Sequence, residues 1–502
     1  MTGALRRVSV ALAALAVTAV ALGAQTVGDK AWPTSRPPRP LPARDVIFPP
    51  YEVRTLQNGL RVITVLQAEQ PAVSLRLLVG AGAAQDPAGR PGVATLTAAL
   101  LDQGTRTRSA EDIADTIDYI GGGLGTGAGT DLSFVNVLVM KGSFELALDL
   151  LSDVVRNPAF APGELERQRQ QLLSGLTVNY QDPDYVARVV ADRLVFGFHP
   201  YGMPSNGTPE SVAAITRGDL VQFHETWFAP NNAILAIVGD VSTDEAFRGA
   251  ERALGGWQAK ELPLQAFTDP PDPTRRVVVV DRPGAVQTEI RIANLGVPRR
   301  HADYQVLDLA TKILGGEGAN RLQRVLRSER SLTYGASADM VSLRQGGAIV
   351  AETDTRSDAT GEVLRVAVEE FWRLQRDRVH EGELADAKAY LTGSFPLTIE
   401  TPDAIAAQVL NAVFYDRDVK EIETYRERIN AIGPDDIQRV AKAYLRPARL
   451  SIVLVGDART IRPQLAAVGF DEFEIVPIDD LDLTRADLRR VRVAPAGAGH
   501  EP

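Results

Sequence analysis

The sequence predicts an α+β protein of two homologous domains, each a largely antiparallel sheet packed against helices. Two internal matches and one order of elements carry that prediction. The stretch ITRGDLVQFHETWFAPNNAILAIVGD (215–240) aligns without a gap on IGPDDIQRVAKAYLRPARLSIVLVGD (432–457), with Pro230 against Pro447 at an offset of 217 residues. GELERQRQQLLSGL, from Gly163, matches GELADAKAYLTGSF, from Gly382, at an offset of 219. Two nearly equal offsets mean a duplicated domain. Each copy of the longer match reads as an amphipathic helix ending at an aromatic (Trp227, Tyr444), a Pro-marked turn, and a buried strand ending in Gly-Asp. The first half opens with two strands in succession, GLRVITVL and VSLRLLVGAG, then turns helical before strands return, an order that favours an antiparallel sheet over a doubly wound one.

Along the chain, residues 1–24 read as a secretory signal. Arg6 and Arg7 precede an apolar run from Val8 to Leu22, and small residues follow at Gly23 and Ala24. The run is short for a membrane span of roughly 20 residues. Cleavage near Ala24 predicts an exported protein, periplasmic or extracellular, with no membrane span afterwards; an uncleaved N-terminal anchor is the alternative. Residues 25–46 are Pro-rich and predict an extended spacer. The first domain then runs over 47–262, a Pro- and Asp-bearing linker over 263–274, the second domain over 275–470, and a C-terminal tail over 471–502.

Composition narrows the function. A chain of 502 residues is too long for a single core. The 54 Lys and Arg against 64 Asp and Glu give a net charge of −10, so there is no basic footprint for nucleic acid. The absence of Cys removes thiol catalysis, a disulfide framework and a lipidated cysteine together.

The segment LQNGLRVITVLQAEQPAVSLRLLVGAGAAQDPAGRPGVATLTAALLDQGT resembles the amino-terminal domain of the insulinase/pitrilysin zinc peptidases, in which a similar strand pair leads to a helix bearing H-x-x-E-H. The resemblance continues through LERQRQQLLSGL, through HPYGMPSNGTPESVAAITRGDLVQFHETWFAPNNAILAIVGD, and through GGEGANRLQRVLRSERSLTYGASA in the second half. It implies the fold shared by insulinase and the mitochondrial processing peptidases. Laid on the family pattern, the two His ligands fall on Thr95 and Ala99, the general-base Glu on Ala98, and the distant Glu ligand on Gly175. Zinc needs imidazole or carboxylate ligands and a base for its bound water, and none of these four residues supplies one. The five His (199, 224, 301, 380 and 500) are too scattered to share a helical turn. His224-Glu225 imitates half a metal motif, and a surface or satisfied core histidine is the expected outcome there.

LRSERSLTY resembles the family segment in which an Arg and a Tyr seven residues apart hold the substrate main chain near the metal; here they are Arg327 and Tyr334. By spacing alone, Arg327 is one of several arginines on a solvated helix and Tyr334 a core aromatic. The resemblance favours a working pair. GGGLGTGAGTD (121–131) falls where the family has a strand edge able to pair with an extended peptide, which makes Gly125, Thr126, Gly127 and Ala128 candidate substrate-binding residues; a flexible loop is the other reading. GGEGAN (315–320) is a glycine-bearing turn and not a nucleotide loop, since no G-x-x-x-x-G-K follows.

The resemblance therefore implies a non-catalytic subunit of a two-chain zinc peptidase. No cofactor is expected in this chain, with zinc in a sister chain that carries H-x-x-E-H, and peptides as substrates. A catalytically inert scaffold or peptide-binding module is the competing reading. An autonomous hydrolase finds no Ser-His-Asp order or nucleophile elbow to support it.

Overall fold

The structure, a computed structural model, describes residues 48–316 and 320–491. The signal segment 1–24, the spacer 25–46 and the last residues of the tail lie outside the described residues. Among those described, no helix is long and apolar enough to cross a membrane.

The first half contributes β1 (Tyr51–Thr55), β2 (Arg61–Leu66), β3 (Ala72–Val79), α1 (Val93–Ala99), β4 (Gly123–Ala128), β5 (Ser133–Met140), α2 (Pro162–Asn179), α3 (Pro183–Phe196), α4 (Arg217–Trp227) and β6 (Ala233–Gly239). Its strands form one six-stranded sheet in the order β1-β2-β6-β3-β5-β4, antiparallel except for β2 beside β6. The second half repeats the plan with β7 (Arg276–Asp281), β8 (Gln287–Leu295), α5 (Tyr304–Gly315), β9 (Ala336–Ser342), β10 (Gly347–Arg356), α6 (Glu381–Ser394), α7 (Pro402–Phe414), α8 (Pro434–Tyr444), β11 (Ser451–Gly456) and β12 (Glu474–Pro477). Its sheet runs β12-β7-β11-β8-β10-β9. The duplication is thus visible strand by strand, and β4 and β9 occupy the same free edge in the two sheets. The other edge differs in origin. β1 enters from the N-terminal side, whereas β12 arrives from the C-terminal side and lies parallel to β7. A tail beginning at residue 471 is corrected by that strand: Glu474–Pro477 completes the second sheet, and the chain beyond it stays attached where Arg193 donates to the Leu483 carbonyl.

The matched helix-turn-strand units are α4 with β6 and α8 with β11, and both strands are buried along their whole length. Gly239 ends β6 at φ +141, where a Cβ would lie 2.1 Å from the Ala72 carbonyl, so the strand-ending Gly is a steric requirement.

Central strands need cover on both faces, and the second cover comes from the opposite half. α3 leaves the first half to pack across β8 and β11, and α7 leaves the second to pack across β2, β3 and β6. Each of these helices starts with Pro at its first position and an Asp in its first turn, and each Asp meets an Arg in the middle of a central strand. Asp403 of α7 pairs with Arg76 of β3 at 2.8 Å and also accepts from Ser74. Asp184 of α3 pairs with Arg291 of β8, whose side chain is 3% exposed and also contacts Glu352 and Glu289. The chain thus carries two equivalent clasps between its halves.

Candidate functional site

α1 is built around a carboxylate placed before it. Asp86 accepts the backbone N–H of Gly92 and of Ala94, both at 2.7 Å, filling two of the donor positions that a helix N-terminus leaves open. Burial pushes this carboxyl up to about 7 against the two hydrogen bonds. Gly92 caps the helix at φ 104, a conformation that favours glycine. Thr95, at the first ligand position, is half-buried and its hydroxyl donates to the Ser205 carbonyl at 2.8 Å. Ala98, at the base position, is 0% exposed, and Ala99 is half-buried. α1 packs on β4, α4 and α2. Gly175 lies on the exposed side of α2 with open space where a side chain would be. These residues do not fit a metal. They present no imidazole or carboxylate, and among the described residues no group of three or more His, Asp and Glu could hold one.

The histidines have local structural partners instead. His199 and His380 accept backbone N–H groups through Nδ1, at 3.1 Å in each case, as does His301 at 3.0 Å. His224 is stacked on Phe228, its Nε2 lies 2.7 Å from the Val155 carbonyl, and burial lowers its pKa to about 4. It is a satisfied core histidine.

The glycine-rich stretch contains β4, a paired strand at the sheet edge rather than an unpaired loop. Its glycines differ in their reasons. A Cβ on Gly127 would sit 2.5 Å from the Phe134 ring, so packing explains that residue. At Gly123 and Gly125 nothing lies within 4 Å, so the fold itself does not require glycine there.

Arg327 and Tyr334 are brought together. Arg327 lies in a π-helical turn, Gln323–Ser328, and Ser331, at φ 53, turns the chain back. The Arg327 guanidinium then sits 4.9 Å over the Tyr334 ring. Single π turns inside helices recur at functional sites. The loop under Tyr334 is fixed by the Thr353 hydroxyl, within hydrogen-bond reach of the Thr333 hydroxyl and the Gly335 carbonyl, and by Thr355, which donates to the Leu332 carbonyl. Tyr334 itself is 83% exposed. It is not a core aromatic. Three neighbouring arginines each hold a carboxylate: Arg321 grips Glu383 with both ends of its fork, Arg324 pairs with Glu329 and Arg330 with Glu362. Among the described residues Arg327 pairs with none.

The family profile described as insulinase (peptidase family M16) matches residues 61–196, and that described as the peptidase M16 inactive domain matches residues 214–391. The chain belongs to the insulinase family. An uncharacterized zinc protease of Mycobacterium tuberculosis is 26% identical over 420 residues, covering 82% of this chain and 95% of its own. A similar protein of Bacillus subtilis is 22% identical over 350 residues, covering 70% and 85%. Among solved structures, a peptidase M16 inactive domain from Pseudomonas fluorescens superposes with a TM-score of 0.77 at 28% identity, over 81% of this chain and 98% of that one. Within the insulinase family, then, this is a member without the H-x-x-E-H motif. Sequence reasoning missed the Asp86 anchor of α1 and the two Arg–Asp clasps. The available signal was an arginine flanked by apolar residues inside each central strand, Arg76 in LRLLV and Arg291 in IRIA.

Proposed function

We propose that the chain is the non-catalytic subunit of a heterodimeric zinc metallopeptidase, forming half of a peptide-binding chamber. Arg327 and Tyr334 serve the zinc site of a sister chain that carries H-x-x-E-H. The observation that carries this reading is the exposed Arg327–Tyr334 stack, which holds a guanidinium without a carboxylate partner among the described residues over a phenol that projects into solvent. An unpaired guanidinium fork suits a peptide carbonyl, and a tyrosine hydroxyl suits an oxygen that gains charge in the transition state. β4, with Gly125, Thr126, Gly127 and Ala128, offers the edge to which an extended peptide adds. The signal-like pattern of residues 1–24 supports an activity outside the cytoplasm.

The test is to assemble variants with the metal-bearing sister chain, verify the complex by gel filtration, and measure turnover at saturating peptide. Tyr334→Phe lowers turnover roughly ten- to a thousandfold with little change in affinity, the range for losing one such donor. Arg327→Ala weakens peptide binding as well. Wild-type rates from both intact complexes would reduce the chain to an inert scaffold.

A further inference from the structure

Tyr334 is placed by its backbone. Its side chain is exposed and lies under the Arg327 guanidinium, which is exposed as well. A cation–π contact between two solvated groups is weak, so the position of the phenol depends on the segment that carries it. That segment lies just outside the sheet. The β9–β10 ladder ends at the pair Ala336 and Thr353, whereas β10 runs on to Arg356 against β8. Beyond the last ladder pair, hydroxyls of β10 take over. Thr353 and Thr355 stand two apart on one strand, so they share a face, and both are buried.

The two hydroxyls reach the chain on both sides of Tyr334. Thr355 donates to the Leu332 carbonyl at 2.7 Å, two residues before it. The Thr353 hydroxyl lies 2.9 Å from the Gly335 carbonyl, one residue after Tyr334, and 3.0 Å from the Thr333 hydroxyl, one residue before. Thr333 closes the turn on itself: its hydroxyl accepts the Gly335 N–H at 3.1 Å and reaches the same carbonyl at 2.8 Å. Ala336 then donates its N–H to the Gln323 side-chain oxygen at 3.1 Å, and Gln323 opens the π-helical turn that carries Arg327. Valine has the shape of threonine and suits a strand as well, so what β10 gains at 353 and 355 is the hydroxyl. Thr353 alone of the two touches both neighbours of Tyr334.

We propose that Thr353 is the positioning residue for Tyr334, holding the backbone on either side of it so that the phenol hydroxyl stands at a fixed point beside the Arg327 guanidinium. The inference rests on the reading of Tyr334 as a donor to a sister chain's zinc site, because such a donor works only when it is held in place before the reaction. The experiment compares Thr353→Val, Thr353→Ser, Tyr334→Phe and the double variant Thr353→Val with Tyr334→Phe. Each is assembled with the metal-bearing sister chain, matched to the parent complex by gel filtration, and assayed on unfolded casein. Thr353→Val lowers kcat about fivefold or more and leaves KM within about twofold of the parent. Thr353→Ser, which keeps the hydroxyl, restores kcat to within about twofold. In the Tyr334→Phe background Thr353→Val adds no further loss, because the hydroxyl it positions is already gone. In the chain alone, the Gly335 amide exchanges its hydrogen faster in Thr353→Val than in the parent or in Thr353→Ser. If Thr353→Val does not fold, Thr355→Val, which frees the Leu332 carbonyl, takes its place in every comparison. Parental kcat in Thr353→Val beside an impaired Tyr334→Phe would overturn the positioning role and leave the Arg327–Tyr334 pair standing. Losses that multiply in the double variant would also overturn it and make Thr353 plain structure. Parental turnover in Tyr334→Phe would overturn the reading of the pair itself, and the positioning role with it.

Discussion

At the scale of single residues, α1 has no room for the side chains of an H-x-x-E-H motif. Ala98 is wholly buried and Thr95 spends its hydroxyl on the Ser205 carbonyl, so neither position offers space or a free ligand. Ala98→Glu therefore places a carboxyl where nothing receives it, and should destabilise the protein by about 2 kcal/mol or more, lowering the melting temperature without creating activity. Peptidase activity in that variant would mean the site is misplaced. Even Thr95→His with Ala99→His lacks the distant carboxylate at Gly175. His224 makes a pH-dependent contribution of definite sign. Burial holds its folded pKa near 4, below the ordinary 6.5, so the folded state binds fewer protons in between. The stability tied to neutral His224 is complete above the unfolded value and is lost as pH falls toward the folded one, to a maximum of about 3 kcal/mol. Asp86, with its pKa raised to about 7, runs the opposite way, losing its contribution as pH rises. The comparison must therefore be between parent and variant: His224→Gln should show a smaller drop in urea midpoint between about pH 7.5 and about pH 5 than the parent.

At the scale of elements, the two clasps predict unequal costs. Arg291 is buried against three carboxylates, so Arg291→Met leaves Asp184, Glu289 and Glu352 without their cation and should cost about 3 kcal/mol or more. Asp403 is half exposed, so Asp403→Asn should cost only about 1 kcal/mol. Denaturant midpoints of the two variants check the ranking, and equal losses would contradict it. β4 permits a cleaner test of function against fold. Gly125 has open space around its missing Cβ, so Gly125→Val should fold with parental stability while its bulk obstructs an added peptide strand. Lower peptide affinity at an unchanged melting temperature is the expected result. Unchanged affinity would leave the edge as plain structure. Gly127→Val, which collides with Phe134, should instead lose stability.

At the scale of the whole molecule, the exchange of α3 and α7 makes the halves interdependent. Residues 47–274 alone would leave the β2-β6-β3 face uncovered, since α7 covers it in the intact chain. That fragment is expected to be insoluble when expressed alone and to recover when co-expressed with residues 275–502. Independent solubility with native circular dichroism would refute the exchange as a stabilising device. On the same scale, the purified full chain should carry no stoichiometric zinc in elemental analysis, because its sequence contains no H-x-x-E-H.

The sequence by itself determined the duplication, the α+β class and the loss of the metal motif. Each rests on local information: the repeat is read from matched residues at fixed offsets, strands and helices from the period of apolar positions, and a metal ligand from the identity of a side chain. Tertiary structure decided what no local pattern contains. Arg76 and Arg291 look misplaced in apolar strands until α7 and α3 bring Asp403 and Asp184 across from the other half. Glu474–Pro477 looks like tail until it pairs with β7. Arg327 and Tyr334 were nameable from the resemblance of LRSERSLTY to a family segment, but that resemblance does not say whether either is buried. A π turn and the reversal at Ser331 stack one on the other and leave both in solvent. The physical reason is common to all three: burial and charge pairing depend on which distant segments meet, and chain neighbours do not encode that.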